Sequence, residues 1–144
     1  FIYAGEEVSH DAIAEVKYRS ITSLGIGVFI WDEPEFRFPI SLGLAYVTEE
    51  APEKDDYLAL RMTEETTWQV NANLKLWQKF EFIPEFSDFE NILITGEIGG
   101  ETKLTETLSL TVKYVLEYDA EADKDDPTIE TTDSKFITQI TYTF

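Results

Sequence analysis

Residues 136–144 read Phe136-Ile137-Thr138-Gln139-Ile140-Thr141-Tyr142-Thr143-Phe144. In an extended chain one face carries Phe136, Thr138, Ile140, Tyr142 and Phe144, and the other carries Ile137, Gln139, Thr141 and Thr143. Side chains alternate across a strand with period two, whereas a helix gathers residues three and four apart. The stretch therefore predicts a two-faced β-strand that stops on an aromatic residue, where soluble domains usually fray into a polar tail.

The same alternation recurs through the chain, in segments at roughly 1–8, 18–31, 36–48, 56–70, 74–86, 91–104, 108–119 and 135–144. In 108–119, Leu108, Leu110, Val112, Tyr114, Leu116 and Tyr118 oppose Ser109, Thr111, Lys113, Val115, Glu117 and Asp119. In 36–48, Phe38, Ile40, Leu42, Leu44 and Tyr46 oppose Arg37, Pro39, Ser41, Gly43 and Ala45. No segment shows a helical period. The expected fold is all-β, in one domain covering 1–144, with eight strands visible.

Composition narrows the class. A chain of 144 residues with 43% hydrophobic and 14% aromatic residues is no disordered acidic tail. With no cysteine, disulfides, zinc–thiolate sites and thiol nucleophiles are excluded. A formal charge of −18 argues against nucleic acid as a partner, since phosphate backbones are bound by Lys and Arg. No apolar run is long enough for a transmembrane helix, but barrel strands give no such run. Phe1 is not an initiator Met and already reads as strand, which favours a C-terminal fragment or a partial chain.

Connections at 9–17, 48–56 and 119–134 are long, while those from Trp31 to Phe36, Val70 to Asn73 and Leu104 to Thr107 are short. Alternating long and short connections are expected of an up-and-down barrel with short periplasmic turns and longer outer loops. The apolar face holds too many large side chains for the lumen of an eight-stranded barrel, which side chains barely fill. The opposite face carries Gly25, Gly27, Ser41, Gly43, Ala45, Gly99 and Thr111, with Arg37, Arg61, Lys113, Glu97, Glu101 and Glu117. Small residues and paired charges suit a tight polar interior. The apolar face is therefore expected outside, in lipid, as in an antiparallel transmembrane β-barrel.

Aromatic residues near strand ends fit two membrane girdles: Trp31, Trp68 and Trp77 on the short-turn side, and Tyr46, Tyr57 and Tyr118 on the long-loop side. Three residues sit awkwardly. Glu64 and Gln78 fall on the apolar face, and Glu6 and Glu7 are adjacent, so one must face the wrong way. A bulge near Thr63 would turn Glu64 inward.

The ending resembles that of bacterial outer-membrane barrels, whose assembly machinery reads a terminal aromatic strand. On that resemblance Phe136, Ile140, Tyr142 and Phe144 form the assembly signal. A wider resemblance lies in Tyr18-Arg-Ser-Ile-Thr-Ser-Leu-Gly-Ile-Gly-Val, Leu58-Ala-Leu-Arg-Met, Phe82-Ile-Pro-Glu-Phe-Ser-Asp-Phe-Glu-Asn and Leu104-Thr-Glu-Thr-Leu-Ser-Leu-Thr-Val-Lys-Tyr. The ending Thr131-Thr-Asp-Ser with Ile140-Thr-Tyr-Thr-Phe completes it. In order and spacing these resemble the C-terminal part of the salt-induced outer-membrane protein family, a domain of unknown function. The resemblance implies fold and location, with further strands before this point in family members, but no active site. It leaves two forms open: an eight-stranded barrel that closes by itself, or part of a larger one.

Chemistry has weak candidates. Asp119, Glu121, Asp123, Asp125 and Glu130 fall at EF-hand offsets 1, 3, 5, 7 and 12, but Lys124 replaces the required glycine and no helices flank the loop. Weak Ca²⁺ or Mg²⁺ binding is the most this predicts, against a solvated acidic loop. Glu49, Glu50, Glu53, Asp55 and Asp56 form a second acidic loop on the same side. The single histidine, His10, lies beside Ser9 and Asp11, and sequence neighbours do not make a converging triad. Gly96-Glu-Ile-Gly-Gly lies inside a strand pattern and is no phosphate loop; strand glycines more often relieve crowding or mark a bulge.

These readings converge on a non-enzymatic barrel in the outer membrane of a Gram-negative-type bacterium, without a dedicated cofactor. Its expected partners are membrane lipid, the assembly machinery and other membrane subunits. Its role would be structural or in envelope adaptation, or porin-like solute passage if the full barrel is wider. The alternatives are a soluble β-barrel holding an apolar ligand on an inward apolar face, and an outer-loop hydrolase around His10 and Asp11.

Overall fold

β-Branched and aromatic residues favour a pleated, half-buried surface, and the alternating segments all form strands. The computed structural model describes residues 1–9, 18–50, 54–120 and 131–143. Its strands are β1 (Ile2–Ser9), β2 (Tyr18–Asp32), β3 (Phe36–Glu50), β4 (Lys54–Gln69), β5 (Leu74–Pro84), β6 (Ile92–Lys103), β7 (Leu108–Asp119) and β8 (Thr132–Tyr142). They form one sheet in the order β1-β2-β3-β4-β5-β6-β7-β8, every neighbouring pair antiparallel, with no helix among the described residues. β1 and β8 are the first and last strands of that order.

Side-chain chemistry closes the short turns. Glu33 and Phe36 exchange backbone bonds of 3.0 and 3.2 Å around Pro34-Glu35, where proline pre-sets the turn. Asn71 Oδ1 accepts from the Asn73 and Leu74 amides at 2.9 and 3.0 Å. Thr105 Oγ1 does the same for Thr107 and Leu108 at 3.3 and 3.0 Å.

The acidic loop expected at 48–56 is largely strand. Glu49 stands opposite Asp55 and Thr48 opposite Asp56, leaving only 51–53 between β3 and β4. The bulge expected near Thr63 is absent, because β4 holds one register with β3 and with β5 across Glu64. The irregularity lies in β2, between Phe29 and Trp31. The extra residue there shifts Trp31 into register with Phe38, onto the outer face that period two alone would deny it.

Even-numbered positions of β3–β8 form the convex outer face, and odd-numbered ones the concave inner face. Large apolar residues on the outer face stay accessible: Leu24 is 61% exposed, Ile26 65%, Leu44 51% and Ile98 58%. Every Lys and Arg whose side chain is described on the strands falls on the inner face: Arg19, Arg37, Arg61, Lys75, Lys79, Lys103, Lys113 and Lys135. The inner face is also partly apolar. Ile21, Ala45, Val47, Tyr57, Ala59, Ile83 and Leu93 form one buried cluster that joins β2 to β6 at the end bearing the odd-numbered connections. Period two separates the faces but cannot show that one end of the inner face is packed shut.

Candidate functional site

The inner face is a set of charged networks hung on neighbouring strands. At the end bearing the odd-numbered connections, Arg19 at the start of β2 donates from Nε to Glu49 Oε1 at 2.6 Å and from Nη2 to Asp119 at the end of β7. Tyr57 Oη donates to the same Glu49 oxygen at 3.2 Å. Glu49 is buried, so its charge depends on these partners. At the same end, buried Asn91 donates to Glu85 Oε2 at 2.9 Å.

Midway along, Arg61 donates from Nε to Glu81 at 2.6 Å, from Nη1 to Ser23 at 2.7 Å and from Nη2 to Glu7 at 3.4 Å. One guanidinium thus ties β4 to β5, β2 and β1. The planar fork of arginine suits such multiple bonding. A cavity of about 220 Å³ lies here, lined by Phe1, Tyr3, Ser23, Ser41, Arg61 and Glu65 among others. Tyr3 Oη is buried without a hydrogen-bond partner among the described residues. On the far wall Glu97 accepts from Trp77 Nε1 at 2.6 Å and from Lys113 Nζ at 2.9 Å.

Glycines make room for these side chains. A Cβ at Gly27 would run into the Phe1 ring, and one at Gly99 into the Trp77 indole. The crowding predicted for glycines of the polar face is present at both.

The sequence-predicted girdle divides. Trp31 and Trp68 lie on the outer face at the short-turn end, each against Phe36: a T-shaped ring contact at 6.4 Å for Trp31, and a direct register pair for Trp68. Tyr46 and Tyr118 lie on the same face at the other end. Trp77 and Tyr57 do not join them. Trp77 sits inside against Glu97, and Tyr57 inside against Glu49. Parity held the signal, since Trp77 shares its phase with Lys75 and Lys79, and Tyr57 with Arg61.

Phe136, Ile140 and Tyr142 share the outer face of β8, exposed by 71%, 67% and 63%. Phe144 lies outside the described residues, as do His10 and Asp11. Of the candidate metal ligands, Asp119 binds Arg19, and Glu121, Asp123, Asp125 and Glu130 lie outside the described residues. Among the described residues no group of three or more His, Cys, Asp or Glu side chains is arranged to hold a metal ion. Large exposed apolar residues crowd the convex side, while the inner face holds an apolar cluster at one end.

The arrangement is good at pairing buried charge and at filling an interior, and in the Glu85 network the Ser87 hydroxyl donates to the carboxylate that Asn91 also bonds. A search of curated proteins and one of solved structures found no match. A family model described as a protein of unknown function, DUF481, matches residues 1–144, so the chain belongs to that family.

Proposed function

We propose that this chain is a non-enzymatic transmembrane β-barrel of a bacterial outer membrane, with the convex face in lipid and the charged face within. One observation carries it: the convex face exposes large apolar residues along β2–β8, while the described strand cations lie on the opposite face. In water that apolar surface would drive association. In a bilayer it is the required surface. On the outer face of β4, ten residues separate Leu58, opposite Tyr46, from Trp68. At about 3.3 Å per residue and a tilt near 40°, that spans about 25 Å, the height of a barrel's apolar band.

The interior favours a structural or envelope role over free solute passage. Arg19 with Asp119 and the buried cluster cross it at one end, and Arg61 crosses it midway. The salt-induced character implied by the resemblance belongs to this same proposal. The test is to dilute the denatured chain into buffer and into lipid vesicles, then compare circular dichroism and boiled against unboiled migration on a detergent gel. The expected result is a β-rich, heat-shifted form that needs vesicles. Cooperative folding to the same strands in plain buffer would overturn it.

A further inference from the structure

The cavity beside Arg61 is a blind cup. Toward the long connections the buried cluster of Ile21, Ala45 and Ala59 closes the interior. Toward the short turns its lining ends in Phe1 and Glu65, both exposed, so it is entered from that end. Its volume of about 220 Å³ has room for about seven waters at about 30 Å³ each, the size of a monosaccharide rather than of a drug-like ligand.

The space is not a by-product of packing. Gly25 and Gly43 are register partners on β2 and β3, and a Cβ on either would run into Tyr3, which lies across them. Gly5, which lines the cavity opposite Ser23, is different: a Cβ added there would meet nothing within 4 Å. Contact with neighbours gives no reason for glycine at position 5, where the missing side chain weakens the strand and keeps the cup open.

The wall carries hydroxyls with unspent protons. Ser23 Oγ accepts from Arg61 and donates to no other described residue. The Ser41 and Thr63 hydroxyls bond each other, which uses one of their two protons. Arg61 Nη1 keeps a second N–H beyond its bond to Ser23. Glu65 makes no hydrogen bond or ion pair among the described residues, although Lys79 stands opposite it in register. A ligand of net charge is opposed whichever its sign: Arg61 repels a cation, and Glu65, with Glu7 and Glu81 on the same guanidinium, repels an anion.

We propose that this cavity binds a small neutral polyol of monosaccharide size. Each hydroxyl of such a molecule donates and accepts at once, which matches a wall of hydroxyls, one spare N–H and one unpaired carboxylate. The two oxygens of Glu65 suit neighbouring hydroxyls, and the Phe1 ring suits the C–H face of a pyranose. The cup lies on the inner face, so polyol binding is expected whichever medium meets the outer one.

The test uses the chain in lipid nanodiscs, which leave both ends of the barrel open, or in plain buffer if it folds there. D-Glucose, D-galactose and myo-inositol are offered, with acetate and tetramethylammonium as charged counterparts, and saturation-transfer NMR reads binding. At least one polyol should give a saturable signal with a dissociation constant of about 1–10 mM, as suits so small a ligand. Glu65→Leu breaks no bond within the described protein and should weaken binding about tenfold. Gly5→Val should abolish the signal with circular dichroism unchanged, because its methyl groups occupy the cup; Glu65→Leu decides alone if Gly5→Val does not fold. No saturable signal from any of the three polyols with the folded parent would overturn polyol binding and leave the cup to water. A polyol signal unchanged in the folded variants would place binding elsewhere and overturn the site. Acetate or tetramethylammonium binding more tightly than the polyols would overturn the neutral class.

Discussion

Arg19 and Asp119 are separated by 100 positions in the chain, yet the guanidinium of one bonds the carboxylate of the other. The bond links the second strand to the seventh, so the sheet is curled far enough at this end for strands five places apart to touch across its interior. Glu49, bonded to the same guanidinium, makes Arg19 the hinge of three strands.

Replacing Arg19 should therefore cost more than an ordinary surface pair. Arg19→Ala leaves Glu49 and Asp119 side by side with Tyr57 Oη as the one remaining donor described on Glu49. A loss of about 2–3 kcal/mol is expected. The urea midpoint of the vesicle-folded chain measures it. Replacing Arg19, Glu49 and Asp119 together with Met, Leu and Leu should recover most of that loss, because no uncompensated charge remains. A change of less than about 0.5 kcal/mol in Arg19→Ala would mean that water already screens the pair.

How much of this was written in the sequence depends on distance along the chain. Strand faces follow from period two, so the outward placing of Leu42, Leu44, Met62 and Phe136 could be read directly. The short turns could be read too, because Pro34, Asn71 and Thr105 act within a few residues. The partner of Arg19 could not, since nothing local ties position 19 to position 119. The buried cluster of Ile21, Val47, Ile83 and Leu93 escaped for the same reason: each is one apolar residue in a polar phase until the sheet curls. Trp31 needed the bulge after Phe29, whose one signal is Pro39 on the facing strand, a residue that cannot donate to the ladder. Trp77 lies near a turn, as a girdle residue would, but it shares the phase of Lys75 and Lys79, and phase decides its face.

Successive register partners run Ile2, Ile26, Leu42, Met62, Phe82, Ile94, Tyr118, Thr132 straight across the sheet. Ile2 is thus level with Thr132, while β8 runs on to Tyr142. If β1 pairs along β8 from Ile2 opposite Tyr142, the stagger is ten residues, giving a tilt of about 40° for eight strands, inside the range of closed barrels. In lipid the free edges must be paired. Ala4→Cys with Ile140→Cys should then form an intramolecular disulfide after folding in vesicles, and Ala4→Cys with Ser134→Cys should not. Absence of the first link in the folded chain would mean that β1 and β8 meet other strands.

Gly99 holds its place through the indole that covers it. The nearest atoms to an added Cβ all belong to Trp77, so Gly99→Ala forces the ring away from Glu97. A loss of about 1–3 kcal/mol is expected, from displaced packing and a broken bond to a charged acceptor. Trp77→Leu already lacks that bond and should make Gly99→Ala nearly neutral. A double-mutant cycle measured by urea unfolding tests the coupling. Additive effects would separate the two sites.

The three tryptophans test which face meets lipid. Trp31 and Trp68 are 52% and 49% exposed on the outer face, beside Phe36 at the short-turn end. Trp77 lies within, bonded to Glu97. Single-tryptophan chains, with the other two changed to Phe, can be folded in vesicles that contain brominated lipid. Bromine quenches an indole only at close range, so Trp31 and Trp68 should be quenched strongly by label near the headgroups and less by label at the bilayer centre. Trp77 should respond weakly at either depth, and its emission should stay unchanged when the label is moved. Strong quenching of Trp77 with silent Trp31 and Trp68 would reverse the two faces. Equal quenching of all three would mean that the interior is open to lipid, which its paired charges could not tolerate.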